Sequence, residues 1–213
     1  METLEHFQSQ VKERLMEFRR LTQKSPAHIV VFRDGVSDSQ FKITMEQEVS
    51  SIQRACSSLS DKYKPTITFM VVQKRHQVRF YEPSRKFDRQ GGNAGNLKNG
   101  TIIDRDIINP ELFDFYAVLH RGILGTSRPC HIYVLYDDWA LPAEYVYLLS
   151  YYMAYVCTRC ESPIGIPAPC YYADLACTRM KNHWMINKST TKSSMSNGLP
   201  ELHDNIKNEQ FFV

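Results

Sequence analysis

Long hydrophobic runs are missing from this chain. Its apolar stretches are too short to cross a bilayer, and the opening METLEHFQSQ lacks the basic region and apolar core of a secretory signal. The reading is an intracellular protein with no membrane partner, cytoplasmic or nuclear. A cysteine framework is missing too: six cysteines without regular spacing in 213 residues suit reduced core thiols better than disulfides. Nor is there a large charge of one sign. With 26 Lys and Arg against 23 Asp and Glu, the net charge of +3 is too small to mark a nucleic-acid binder by its sum. No internal repeat is found.

What is present suits one α/β domain with a sizeable core, in line with a hydrophobic content of 43%. Leu4, Phe7, Val11, Leu15 and Phe18 recur at spacings of three and four, which predicts an amphipathic helix. Residues 29–32 (IVVF) read as a buried strand that Arg33-Asp34-Gly35 breaks, with Gly35 supplying the backbone freedom of a sharp exit. Met45, Val49, Ile52, Cys56 and Leu59 predict a second helix, and residues 66–72 (TITFMVV) a second buried strand. Residues 84–99 read as a flexible loop, and 112–119 and 131–136 as further strands. Pro142 opens a third helix with Val146, Leu149, Met153 and Val156 as its buried face. A last helix carries Tyr171, Asp174 and Arg179, and residues 187–208, rich in Ser, Thr, Asn and Lys, read as a mobile tail before the apolar end FFV.

Two carboxylates stand at element ends. Asp34 follows what reads as a central strand, where α/β sheets hold ligands and metals, and Asp174 lies in the first turns of a helix. Such groups could share Mg²⁺, a hard cation that takes oxygen ligands, although a turn aspartate is the plainer explanation for Asp34. Cys157-x-x-Cys160 with Cys170 and Cys177 matches no common zinc spacing, so buried thiols are simpler. Asp137-Asp138 read as a strand-terminal acidic turn. Lys74, Arg75, His76, Arg79, Arg85, Lys86 and Arg89 crowd one stretch, which is either a solvated surface or a track for phosphates.

In this order and spacing, FRDGVSDSQF, ITFMVVQKRH, GTSRPCHIYVLYDD and IPAPCYYADLA closely resemble the Piwi domain of Argonaute proteins, over nearly the whole chain. The resemblance implies an α/β, RNase H-like Piwi fold, a mixed sheet flanked by helices and lacking its first strands. It implies a partial Piwi domain over residues 1–183 and a polar tail with an apolar end over 184–213. It further implies that Asp34 and Asp174 are Mg²⁺ ligands of a catalytic site, with Glu2 at the position of a catalytic glutamate finger. Lys74, Arg75, Arg79, His120 and Arg128 match contacts to guide phosphates, Tyr171 a tyrosine near them, and Val213 a carboxylate beside the guide's 5′ phosphate. The implied partners are a single-stranded small guide RNA, target RNA, and tryptophan-bearing peptides. The first catalytic aspartate and the Mid and PAZ domains have no counterpart, so the expectation is guide binding in RNA silencing without cleavage. The alternative is a non-catalytic interaction fragment or inactive remnant. The stretch before IPAP differs in length from the family's, and Val156 stands where an arginine is common.

Overall fold

The computed structural model describes residues 4, 6–82, 95–122, 125–190, 202–207 and 209–212. Helix α1 (Phe7–Thr22) leads to strand β1 (His28–Asp34), and a short 3-10 turn at Asp38–Gln40 leads into α2 (Phe41–Leu59). Four strands follow, β2 (Thr66–Gln73), β3 (Ile102–Ile103), β4 (Phe113–Ala117) and β5 (Cys130–Asp137), and then helices α3 (Ala143–Tyr152) and α4 (Ala168–Thr190). The strands form one sheet in the order β1-β2-β5-β4-β3. β1 and β2 run parallel and the other pairs antiparallel, so the sheet is mixed.

Helices cover both faces. Ile67, Phe69 and Val71 of β2 pack with Tyr133 against Leu15 of α1 and Val49 and Ile52 of α2. Met70 and Val72 project the other way, with Phe115 and Ile132, onto Val146 of α3 and Cys170 of α4. Burial on both faces explains why β2 reads as an unbroken apolar run instead of an alternation. No described helix is long and apolar enough to cross a membrane.

Several sequence expectations need correction. β1 is not central: among the described strands it is outermost, bonded to β2 alone. Helix α3 stops at Tyr152, so Val156 is 51% exposed and the Cys157–Cys160 pair lies in turns beyond the helix. The cause is tertiary, since the carbonyls of Met153 and Ala154 accept from the N–H groups of Ala168 and Ile164 and turn the chain away. Cys160 and Cys177 are exposed, while Cys56, Cys130, Cys157 and Cys170 are buried as expected. Helix α4 continues through residue 183 to Thr190, into the stretch read as a tail. Most of the 84–99 stretch lies outside the described residues, but Asn96 at its end is buried, donating to the Gly125 carbonyl and accepting from Ser127 N–H, both at 2.8 Å.

One charged pair is sunk beneath β1. Arg33 Nε donates to Glu48 Oε1 at 3.0 Å, with the side chains 15% and 6% exposed. Burial raises the Glu48 carboxyl above its ordinary 4.5, against the pull of Arg33. The folded state therefore binds that proton more readily than the unfolded chain, and the stability tied to Glu48 declines as pH rises from 4.5 through the folded value. Arg33→Met leaves a buried carboxylate without its cation, which costs about 3–5 kcal/mol at neutral pH. Urea unfolding checks this: the loss should shrink as pH falls toward the ordinary carboxylate range.

Candidate nucleic-acid interface

Parallel pairing sets β1 and β2 side by side with their carboxyl ends together. Asp34 lies opposite Val72, and Gly35 N–H donates to the Val72 carbonyl at 2.9 Å. Gly35 adopts φ +52°, the left-handed backbone its place in the sequence predicts. Past Val72 the chain continues as Gln73, Lys74 and Arg75, so the basic groups leave the sheet beside the acidic turn. Gln73 Nε2 ties the two exits together, donating to the Val36 carbonyl at 2.8 Å and to Asp38 Oδ1 at 3.0 Å.

Two further elements close the site. β5 runs antiparallel to β2 with His131 opposite Gln73, which brings Arg128, just before β5, to the same sheet end. Arg128 Nη1 reaches the Lys74 carbonyl at 3.4 Å. The first turn of α4 sits over β1, where the Cys170 thiol meets the Phe32 carbonyl at 3.5 Å, and Asp174 follows one turn later. The result is an open cleft of about 710 Å³ lined by Asp34, Gly35, Lys74, Arg75, Arg128 and Asp174 among others.

The cations in this cleft differ in kind. Lys74 is mostly buried, its Nζ donating to the Gly165 carbonyl at 2.5 Å. Burial pulls its ammonium below the ordinary lysine range, and Arg128 and Arg79 add to that pull. His120 lies beside it: a Cβ added at Gly165 would come within 2.7 Å of Lys74 Nζ and 3.2 Å of the His120 ring. Burial first, and the Lys74 charge second, lower the His120 imidazole, whose buried Nδ1 has no hydrogen-bond partner among the described residues. Arg75 and Arg128 are exposed, free to meet an anion from solvent.

Other expected residues sit apart. Arg79 folds back on its own turn, with Nη1 donating to the Val78 and His76 carbonyls at 2.7 and 3.2 Å. Tyr171 is half-buried near the start of α4 and does not line the cleft. Glu2, Val213, Arg85, Lys86 and Arg89 lie outside the described residues. Asp137 and Asp138 serve the turn: Asp137 accepts from Thr68 Oγ1 and Leu141 N–H, and Asp138 from Ile67 N–H.

Sequence reasoning missed Gly165, whose carbonyl positions Lys74 from 91 residues away, a contact without local signature. It also gave no role to Arg179, which lies over the Phe211 ring at 5.9 Å, while Phe212 meets Tyr172 at 5.9 Å. The apolar chain end therefore docks on α4.

As a Mg²⁺ site the cleft offers Asp34 and Asp174. Mg²⁺ commonly takes one or two carboxylates and completes its shell with water and phosphate oxygens, so this pair fits one ion shared with a phosphate. Among the described residues no three His, Cys, Asp or Glu side chains are grouped to hold a metal.

A family model described as the Piwi domain matches residues 1–185. The chain belongs to the Piwi-domain family. The relatives it matches include Argonautes: protein argonaute PNH1 of Oryza sativa subsp. japonica is 37% identical over 212 residues, 95% of this chain and 22% of the relative. Among solved structures, the C-terminal lobe of a budding yeast Argonaute superposes with TM-score 0.83 at 31% identity, over 97% of this chain and 44% of that one. Kluyveromyces polysporus Argonaute with a guide RNA superposes with TM-score 0.86 at 30% identity, over 100% of this chain and 25% of that one. The chain spans about a fifth of the length of such curated relatives. The mixed sheet between helix layers is thus the Argonaute Piwi architecture.

The contact between Lys74 and His120 is directly measurable. Lys74→Met removes the smaller of the two influences holding the imidazole down, so the His120 pKa should rise part of the way toward 6.5 in an NMR titration. An unchanged value would place Lys74 elsewhere.

Proposed function

We propose that this Piwi chain binds single-stranded small RNA along the cleft at the joined ends of β1 and β2, as a guide-holding surface that does not cleave. The observation that carries the reading is the lining of that cleft by Lys74, Arg75 and Arg128, contributed by two segments and converging on one opening. Phosphates repeat along a strand, and separated cations at one groove match that repeat without reading bases. Lys74, fixed by Gly165, is the preorganised donor, and the exposed Arg75 and Arg128 supply the adaptable ones. The neutral His120 adds a polar group without further charge repulsion.

Asp34 and Asp174 would hold Mg²⁺ together with a phosphate oxygen of bound RNA, and the ion would supply charge neutralisation and Lewis-acid polarisation there. This chain's part is to orient the phosphate through the three cations.

A second cavity favours a further partner, a tryptophan-bearing peptide. It holds about 410 Å³ between the ends of α1 and α2, with Leu15, Met16, Pro26, Leu59 and Tyr63 as walls and Arg19 and Arg20 at its mouth. Tyr63 is held in place by donating to the Pro26 carbonyl at 2.9 Å. An apolar slot with cationic edges suits an indole, whose face attracts cations.

Labelled single-stranded RNA titrated at several salt concentrations tests the main reading. Each phosphate neutralised contributes about 0.7 to the slope of log K against log salt, so changing Lys74, Arg75 and Arg128 together to Ala should flatten it by roughly 2. Unchanged affinity in that variant would refute the reading. In the same assay Leu59→Glu should abolish capture of a tryptophan-bearing peptide and leave RNA affinity intact.

A further inference from the structure

The Cys157-x-x-Cys160 pair, which the RNA reading leaves unused, is built as a dithiol. α3 ends at Tyr152, and the chain then turns so that Cys160 N–H donates to the Cys157 carbonyl at 3.3 Å. A turn closed in this way holds its outer Cα atoms less than about 7 Å apart, and disulfides form across roughly 4.4–6.8 Å. The side chains point together, since the Cys160 thiol is hydrogen-bonded to that of Cys157. Their exposures are opposite: Cys157 is buried and Cys160 is open to solvent. An oxidant therefore meets Cys160 first, with a second sulfur already behind it. Among the described residues the other thiols are placed differently. Burial pushes Cys130 up to about 12 and raises Cys56 and Cys170, which keeps them protonated, and Cys177 is exposed within α4.

The backbone on either side of Cys157 is tied down. Thr158 N–H donates to Tyr172 Oη at 2.8 Å, and Tyr172 Oη donates in turn to the Val156 carbonyl at 3.2 Å. The buried sulfur thus has a fixed place, and Cys160 is the half of the pair that moves. We propose that Cys157 and Cys160 are a reversible modification site, closing to an intramolecular disulfide by exchange with a small-molecule disulfide of the glutathione type. The Cys160 thiolate attacks one sulfur of that molecule, a mixed disulfide forms, and the first small thiolate leaves. Cys157, deprotonated in its turn, attacks Cys160 Sγ, breaks the mixed bond and expels the second. The two protons lost by the cysteines end on the two small thiols, and two electrons pass from the protein to the oxidant. Desolvation and the bond to Cys157 raise the Cys160 thiol above its ordinary 9.0, with Arg159 opposing. The first attack is therefore slow, so the site responds to a sustained oxidising poise instead of a brief pulse. The inference does not rest on RNA binding.

The full chain, equilibrated in glutathione buffers of graded oxidised share and then alkylated in denaturant, reads each thiol by mass spectrometry. Cys157 and Cys160 should lose their alkylation together, as one internal disulfide, and regain it after dithiothreitol, while Cys56, Cys130 and Cys170 stay alkylated throughout. Cys157→Ser removes the resolving sulfur, so Cys160 should stop as a mixed disulfide with glutathione. Cys160→Ser removes the sulfur that meets the oxidant, so Cys157 should stay reduced. The unsubstituted chain decides the matter even where a variant fails to fold. A pair that remains free in oxidised glutathione overturns the proposal. So does an unsubstituted chain that stops at the mixed disulfide, and so does a Cys160 that bonds to Cys177 or to a second copy.

Discussion

The parallel pairing of His28–Asp34 with Thr66–Gln73 is the constraint on which the rest depends. Two strands running the same way must end at the same side of a sheet, so an acidic turn and a basic exit become neighbours. The register is held because β2 is buried on both faces, and a slip by one residue would send Phe69 and Val71 to the side that Met70 and Val72 fill. The antiparallel run of β5 then adds the third cation, since the start of that strand lies at the end of β2.

Electrostatics at this sheet end is a balance of opposites. Two carboxylates and three cations line one opening, so a polyanion entering it is drawn by Lys74, Arg75 and Arg128 and opposed by Asp34 and Asp174 unless a cation intervenes. Position decides which charge acts most. Arg75 and Arg128 are exposed and screened by salt, while Lys74 is mostly buried and held by Gly165, which makes it the least screened positive group in the cleft. Arg79, by contrast, has its guanidinium committed to two carbonyls of its own turn and serves the loop's shape first.

Much of the fold was legible because its signals are local. The apolar run 66–72, the periodic faces of α1 and α2, and the Asp34-Gly35 break each act within a few residues, and four ordered motifs carried the family. What was not legible depends on contacts distant in sequence. Nothing near Val156 reveals that Ile164 and Ala168 end α3 by bonding to Ala154 and Met153. Nothing near Gly165 reveals Lys74, and the edge position of β1 is a property of the whole sheet. Asp114, buried at 1% exposure and bonded to His131 Nε2 at 2.6 Å, drew no notice because its partner sits on the neighbouring strand.

Backbone NMR of the full chain, titrated with a short single-stranded RNA, is the most direct test of whether the joined ends of β1 and β2 form the RNA surface. Shifts concentrated at Gly35, Lys74, Arg75, Arg128 and Gly165 are the predicted result. Shifts at other sites with these five silent, or at the Arg19 and Arg20 end of α1, would contradict it.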